Sequence, residues 1–205
     1  MLPLIDEEKG QYFDKDILSS THFEDGFIDA GAYNGDTACH FYEYFPNYTG
    51  TYYCFEAAEF LQDELKQTIE SLHKNIVTYK YAVWDKEEKL KFDDSSFGGG
   101  GGSAVSQTGY DVQGMALDAV LQGKKISFIK MDIEGAEKNA LLGAQKIIRE
   151  QRPILTICIY HRAEDMFDLP LLIEELGNNG YALYVRQYRF GLSETVLYAI
   201  PFDRS

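Results

Sequence analysis

At 205 residues, 45% of them apolar and 14% aromatic, the chain has material for one well-packed domain, too little length for two, and no composition of a disordered segment. With 33 acidic residues against 19 basic ones its net charge is −14, the wrong sign for a nucleic-acid backbone or an anionic membrane; a small molecule or neutral glycan stays open as partner. Three cysteines without metal-type spacing, a start (MLPLIDEEKG) without a basic-then-apolar leader pattern and no membrane-length apolar run predict a cytoplasmic setting.

In chain order, apolar runs of strand type alternate with segments of 3.6-residue period, the pattern of an α/β fold with a mostly parallel sheet. A short helix over 13–19 precedes the first strand, so residues 1–24 read as a segment packed on a core of residues 25–205. Strands are predicted at 26–30, 50–56, 76–83, 126–133, 153–160, 181–187 and 195–200. The helices between them fall at 37–45, 58–73, 136–150 and 168–178. In the second of these, Phe60, Leu61, Leu65, Ile69 and Leu72 form one apolar stripe. From 85 to 120 no long helix is predicted. Short strands at 89–92 and 112–116 flank FGGGGGS (97–103), read as a mobile loop beside a substrate mouth, and a capped turn follows at Leu117-Asp118. The last two strands are joined only by YRFGLSE, too short for a crossover, so they must pair antiparallel. A doubly wound, Rossmann-like seven-stranded sheet ended by such a hairpin is the arrangement of class I methyltransferases.

The stretch FIDAGAYNGDT (27–37) resembles a phosphate-binding turn, but its chemistry disagrees. Gly31 and Gly35 stand in G-x-x-x-G rather than the dinucleotide G-x-G-x-x-G, and Asp36-Thr37 follows where a nucleotide hydrolase needs Lys and Ser/Thr. A phosphate ~4 Å from Asp36 would meet repulsion of roughly 4 kcal/mol at an effective dielectric of ~20. A cationic ligand reverses that sign. S-adenosylmethionine offers a sulfonium and an α-ammonium to Asp29 and Asp36, while Gly31, Tyr33 and Thr37 line its path around the turn. The same loop, taken alone, also fits a plain turn with a capped helix. Its partners are Glu56, 27 residues after Asp29 and placed to take ribose hydroxyls, with Ala57 beside it. Tyr81, Ala82 and Val83 of KYAVWD are placed to bracket an adenine. All sit at C-terminal strand ends, where open α/β sheets bind ligands.

The stretch IKMDIEGAE (129–137) puts Lys130, Asp132 and Glu134 on alternate positions of an apolar strand, a costly pattern unless used. Lys130 can pair with an acid, leaving Asp132 and Glu134 at the crevice. His161, in ICIYHR at the end of the next strand, faces the same crevice. Asp132, Glu134 and His161 are therefore the candidate bases for proton removal; His161 equally fits a hydrogen-bonded structural role. Two carboxylates and an imidazole also suit Mg²⁺ or Mn²⁺, but no tight ligand spacing appears and no metal is predicted. Tyr110, Arg162, Tyr188 and Arg189 are available to an acceptor substrate. Its pocket is either open or completed by the N-terminal segment or a second subunit, as in a homodimer.

Together these motifs resemble the FkbM-type S-adenosylmethionine-dependent methyltransferases over about Tyr12 to Pro201. The carriers are FIDAGAYNGDT, YYCFEA, the AVWD turn, MALDAVL, IKMDIEGAEKNALLGA, RPILTICIYH and TVLYAIP. The resemblance implies a class I fold, cofactor contacts from Asp29, Gly31, Gly35, Asp36 and Glu56, and methylation mostly of hydroxyl groups on sugars or other small molecules. The chain departs from the pattern at Ala57, where the family commonly has Pro, and in its long glycine run. Two alternatives remain: a non-catalytic domain that binds the cofactor, and a nicotinamide-dependent oxidoreductase. The missing third glycine and the terminal hairpin disfavour the latter.

Overall fold

The computed structural model describes residues 10–19, 21–93, 104–189 and 193–203. The glycine run at 98–102 lies outside them. The main sheet has seven strands: β1 (Gly26–Ala30), β2 (Tyr52–Phe55), β3 (Ile76–Tyr79), β8 (Ile126–Met131), β9 (Ile154–Cys158), β10 (Tyr181–Gln187) and β11 (Thr195–Pro201). They run in the order β10-β11-β9-β8-β1-β2-β3. Pairings from β9 to β3 are parallel, and β11 is antiparallel to both β9 and β10. Every residue of β1, β2, β8, β9 and β11 is buried, as expected of strands covered on both faces.

Alternation along each strand sorts the core into two layers. Ile28, Ala30, Ile129 and Met131 face α4 (Leu117–Val120), α5 (Glu137–Gly143), α6 (Gln145–Gln151) and α7 (Asp165–Leu176). Phe27, Tyr52 and Phe128 face α1 (Lys15–Leu18), α2 (Asp36–Tyr44) and α3 (Gln62–Leu72). The second layer is aromatic: Phe27 stacks on Tyr52 and Phe128 at centroid distances of 4.6 and 4.7 Å, and Phe13 from the N-terminal segment reaches Phe41 at 5.7 Å. Such pairs add roughly 0.5–1.5 kcal/mol beyond their area.

Several predicted elements change. The run at 76–83 does not stay in one sheet: β3 ends at Tyr79, and β4 (Ala82–Val83) joins a second, four-stranded sheet of order β4-β7-β5-β6. That sheet comprises also β5 (Glu88–Asp93), β6 (Ala104–Ser106) and β7 (Tyr110–Met115). The predicted helix over 136–150 divides at Ala144, because the Asp118 carboxylate accepts from both Lys146 N and Ile147 N at 2.9 Å and starts α6 afresh. The turn at Leu117-Asp118 is itself a short helix. Helix α7 starts at Asp165 rather than at 168. The segment after β2 opens with a 3₁₀ turn (Glu59–Leu61); this changes the helical phase, so Leu61 and Leu65 are buried while Phe60 is 55% exposed.

Candidate active site

The C-terminal ends of β1, β2, β4 and β8 and the loop after β9 surround a cavity of about 330 Å³, within the size range of small-molecule sites. Its first wall is the glycine loop. Gly31 has φ +80°, and a Cβ there would lie 1.9 Å from the Asp132 carbonyl oxygen, so β1 and β8 approach as closely as they do only through a glycine. Gly35, φ +91°, is the residue before α2 and packs against Thr68 of α3 instead of lining the cavity. Tyr33, Asp36 and Thr37 do line it.

The second wall is Glu56. Its Oε2 accepts from Tyr33 N at 3.0 Å and its Oε1 from Ala58 N at 2.8 Å. Two backbone amides thus fix the carboxylate, with a lone pair left on each oxygen for a vicinal diol. Burial pushes this carboxyl up, against those two hydrogen bonds. Ala57, Tyr81, Ala82 and Val83 form the apolar side next to it.

Asp29 stands elsewhere. It is buried, is not among the lining residues, and pairs in register with Lys130 across β1 and β8. Lys130 Nζ lies 2.9 Å from Asp29 Oδ1 and donates to the Gly31 carbonyl at 2.7 Å; Tyr52 donates to Asp29 Oδ2 at 2.8 Å. Burial would drive both charges toward neutrality, but the close contact with Asp29 holds Lys130 above its ordinary value. Asp29 therefore reaches the cavity only through Lys130 and the carbonyl of Gly31.

The third wall is a cluster around His161. Its Nδ1 lies 2.9 Å from Glu137 Oε1, and its Nε2 lies 3.3 Å from Asp132 Oδ1 and 3.5 Å from Glu134 Oε2. Glu137 Oε1 also accepts from Ile133 N at 3.0 Å. Burial opposes a charged imidazole, yet the hydrogen bonds and charges of Asp132 and Glu137 raise it to about 10. At neutral pH His161 is an imidazolium, 6% exposed and behind the cavity wall. Burial likewise opposes the Asp132 charge, but the close approach of His161 and the Lys130 charge hold its carboxyl well below the usual range. Burial pushes the Glu134 carboxyl up, reinforced by Asp132 and Glu137. Glu134, in the left-handed region at φ +55°, lines the cavity and forms no hydrogen bond among the described residues. Asp132, Glu137 and His161 each offer an atom within 4.8 Å of the others, a spacing a metal ion could use.

The chain's other predicted substrate contacts are dispersed. Tyr188 is buried, its hydroxyl 2.5 Å from that of Tyr198; Arg189 borders a separate cavity of about 270 Å³. Tyr110 packs against Phe92 with the rings tilted, and Arg162 lies over Gly135. Among the lining residues without a signal in the sequence are Tyr12, Phe92, Tyr160 and Glu194. Glu137 could have been suspected, since it stands four residues after Ile133, whose amide it accepts.

With this geometry in view, the methyltransferase FkbM domain matches residues 29–183. The chain belongs to the FkbM methyltransferase family. No curated protein matches this family member in sequence. Among solved structures, methyltransferase FkbM from Methylobacillus flagellatus KT superimposes with TM-score 0.76 at 22% identity, covering 93% of this chain and 47% of that one. The present chain thus spans about half the length of that relative. The precorrin-6y C5,15-methyltransferase from Geobacter metallireducens GS-15 gives 0.54 at 11% identity, covering 97% and 90%. A SAM-dependent methyltransferase from Aquifex aeolicus gives 0.50 at 12% identity, covering 95% and 93%. These likenesses establish the class I methyltransferase fold. Among the described residues no helix is long and apolar enough to cross a membrane.

Proposed function

We propose that this FkbM-family chain binds S-adenosylmethionine and transfers its methyl group to a hydroxyl of a small molecule or glycan. The observation that carries the reading is Glu56, whose carboxylate is clamped by two backbone amides at the wall of the same cavity that holds the glycine loop and Glu134. The donor set fits the cofactor. Glu56 would hold the ribose hydroxyls, Ala57 and Ala82 would flank the adenine, and Tyr33, Asp36, Thr37 and Asp132 would take the methionine end, with Gly31 giving the close approach and Gly35 setting the start of α2. When bound, the cofactor supplies a methyl group on a sulfonium, whose carbon–sulfur bond breaks toward sulfur as the acceptor oxygen bonds to carbon.

The chain's own residues then have distinct work. Glu134 accepts the acceptor's hydroxyl proton, because it faces the cavity with unused lone pairs. His161, already protonated, cannot act as that base; it fixes Asp132 and Glu134 instead. Phe92 and Tyr160 exclude water from the acceptor side. The three cysteines are free, which suits a cytoplasmic setting.

Calorimetric titration with S-adenosylmethionine, S-adenosylhomocysteine and NAD in parallel tests the reading. Heat with the two methionine derivatives and none with NAD is expected; silence with both derivatives would sink it. Transfer of a labelled methyl to a panel of sugars, phenols and amines then separates O-methylation from N-methylation and from a domain that binds without turnover.

A further inference from the structure

We propose that Tyr12 is a positioning residue of the cofactor site, holding the Asp132 carboxylate to receive the α-ammonium of S-adenosylmethionine. The residues around Tyr12, which precede the matched family domain, thereby belong to the binding machinery. The proposal rests on the cofactor reading above. Tyr12 donates to Asp132 Oδ2 at 2.6 Å, and its ring stands 5.0 Å from Lys130 Nζ, so one side chain from the N-terminal segment touches both ionisable groups at the end of β8. Burial and the Asp132 charge push its phenol well up, so it stays a donor across the accessible pH range.

The placement of the segment does not depend on Tyr12. Phe13 is embedded in the aromatic layer, the Gln11 carbonyl accepts from Tyr198 Oη at 2.6 Å, and Asp14 caps α1 while accepting from Tyr188 Oη at 3.2 Å. The neighbours anchor the segment, and Tyr12 is what the anchored segment delivers to the cavity. Sheet order then says which end of the ligand Tyr12 serves. With ribose hydroxyls on Glu56 at the end of β2, and β1 between, the part of the ligand furthest from the nucleoside lies over β8, where Asp132 stands. Lys130 is already paired with Asp29, and the single imidazolium of His161 is shared among Asp132, Glu134 and Glu137. Asp132 thus keeps negative charge available for an ammonium, provided that its plane is held. Tyr12, with Asp36 and Thr37, also borders both the main cavity and the smaller one that reaches His40 and Arg189.

The test uses two thioethers with the same nucleoside: S-adenosylhomocysteine, which carries the α-ammonium, and 5′-methylthioadenosine, which lacks the amino-acid end. Calorimetry on the full chain should find Tyr12→Phe weakening S-adenosylhomocysteine about tenfold, as expected for loss of about 1.4 kcal/mol, while methylthioadenosine changes less than twofold. Asp132→Asn should show the same split more strongly. Tyr198→Phe, which loosens the anchor beside Tyr12 without touching Asp132, should show the split in weaker form. Unchanged binding in Tyr12→Phe, or equal weakening of both ligands, overturns the proposal. If the unaltered chain binds neither S-adenosylmethionine nor S-adenosylhomocysteine, the cofactor reading itself fails, and this inference with it.

Discussion

Two buried cations flank the site, and their surroundings differ. Lys130 meets one carboxylate, Asp29, and one carbonyl, that of Gly31. His161 meets three carboxylates, Asp132, Glu134 and Glu137, with one positive charge among them. The first arrangement is balanced, and its member at the cavity, Lys130, is already engaged by Asp29 and the Gly31 carbonyl, so it holds the glycine loop against β8. The second is short of positive charge at the cavity wall, a state that costs stability in the free chain and is relieved by a cationic ligand. Balanced buried charge serves the scaffold here; unbalanced charge serves the site.

The largest break in that comparison is Lys130→Met. It leaves Asp29 buried and unpaired, and removal of one partner of such a pair costs about 3–5 kcal/mol. Urea denaturation should show that loss directly. The double change Asp29→Leu, Lys130→Met should recover most of it while still weakening S-adenosylmethionine binding, because the Gly31 carbonyl loses its donor. A single Lys130→Met variant as stable as the parent would end the claim that this pair is a scaffold element.

Next comes Glu134→Gln on the unbalanced side. Loss of a positioned proton acceptor should lower turnover by roughly 10²–10⁴-fold, with the cofactor dissociation constant little changed. Should His161→Gln, and not Glu134→Gln, abolish turnover while binding persists, the base has been assigned to the wrong residue.

A smaller effect is expected in the pH dependence. The folded value of His161 lies above its ordinary 6.5, so the stability it contributes is complete below about 6.5 and disappears as pH rises through about 10. The gap in unfolding free energy between the parent chain and His161→Gln should therefore be largest near pH 6, on the order of 3 kcal/mol, and should narrow toward pH 10. A gap independent of pH would mean that the imidazole is neutral and the cluster is held some other way.

Which parts of this were legible beforehand follows from how local each signal is. The hairpin was legible because seven residues cannot make a crossover, and Glu56 because its strand ends there. The transfer of 82–83 into a second sheet was not. A buried apolar run reads alike whichever strand it pairs with, and the partner of β4 is the distant β7. An acid beside the glycine loop suits a cationic ligand, which is why the sequence points to Asp29 as a contact; its register with Lys130 turns it inward. His161 stood at a strand end as anticipated, but its charge depends on how many carboxylates converge there, which spacing along the chain does not encode. Tyr12 escaped for the same reason, lying 120 residues from the group it holds.

The mildest change, Tyr52→Phe, asks how the balance at Asp29 is divided. Tyr52 donates to Asp29 Oδ2 at 2.8 Å, and its ring is stacked on Phe27 at 4.6 Å. The substitution keeps the stack and deletes only the hydroxyl, so an apolar loss does not confuse the result. A hydrogen bond to a charged group contributes about 1.5–3 kcal/mol, and the ion pair with Lys130 persists to absorb part of it. Denaturation should therefore report about 1–2 kcal/mol, below the cost of Lys130→Met, with cofactor affinity within about twofold, since the Lys130 bond to the Gly31 carbonyl is untouched. If Tyr52→Phe cost as much as Lys130→Met, Asp29 would owe its charge to the hydroxyl as much as to the ammonium, and the balanced side of the site would be a three-membered network instead of a pair.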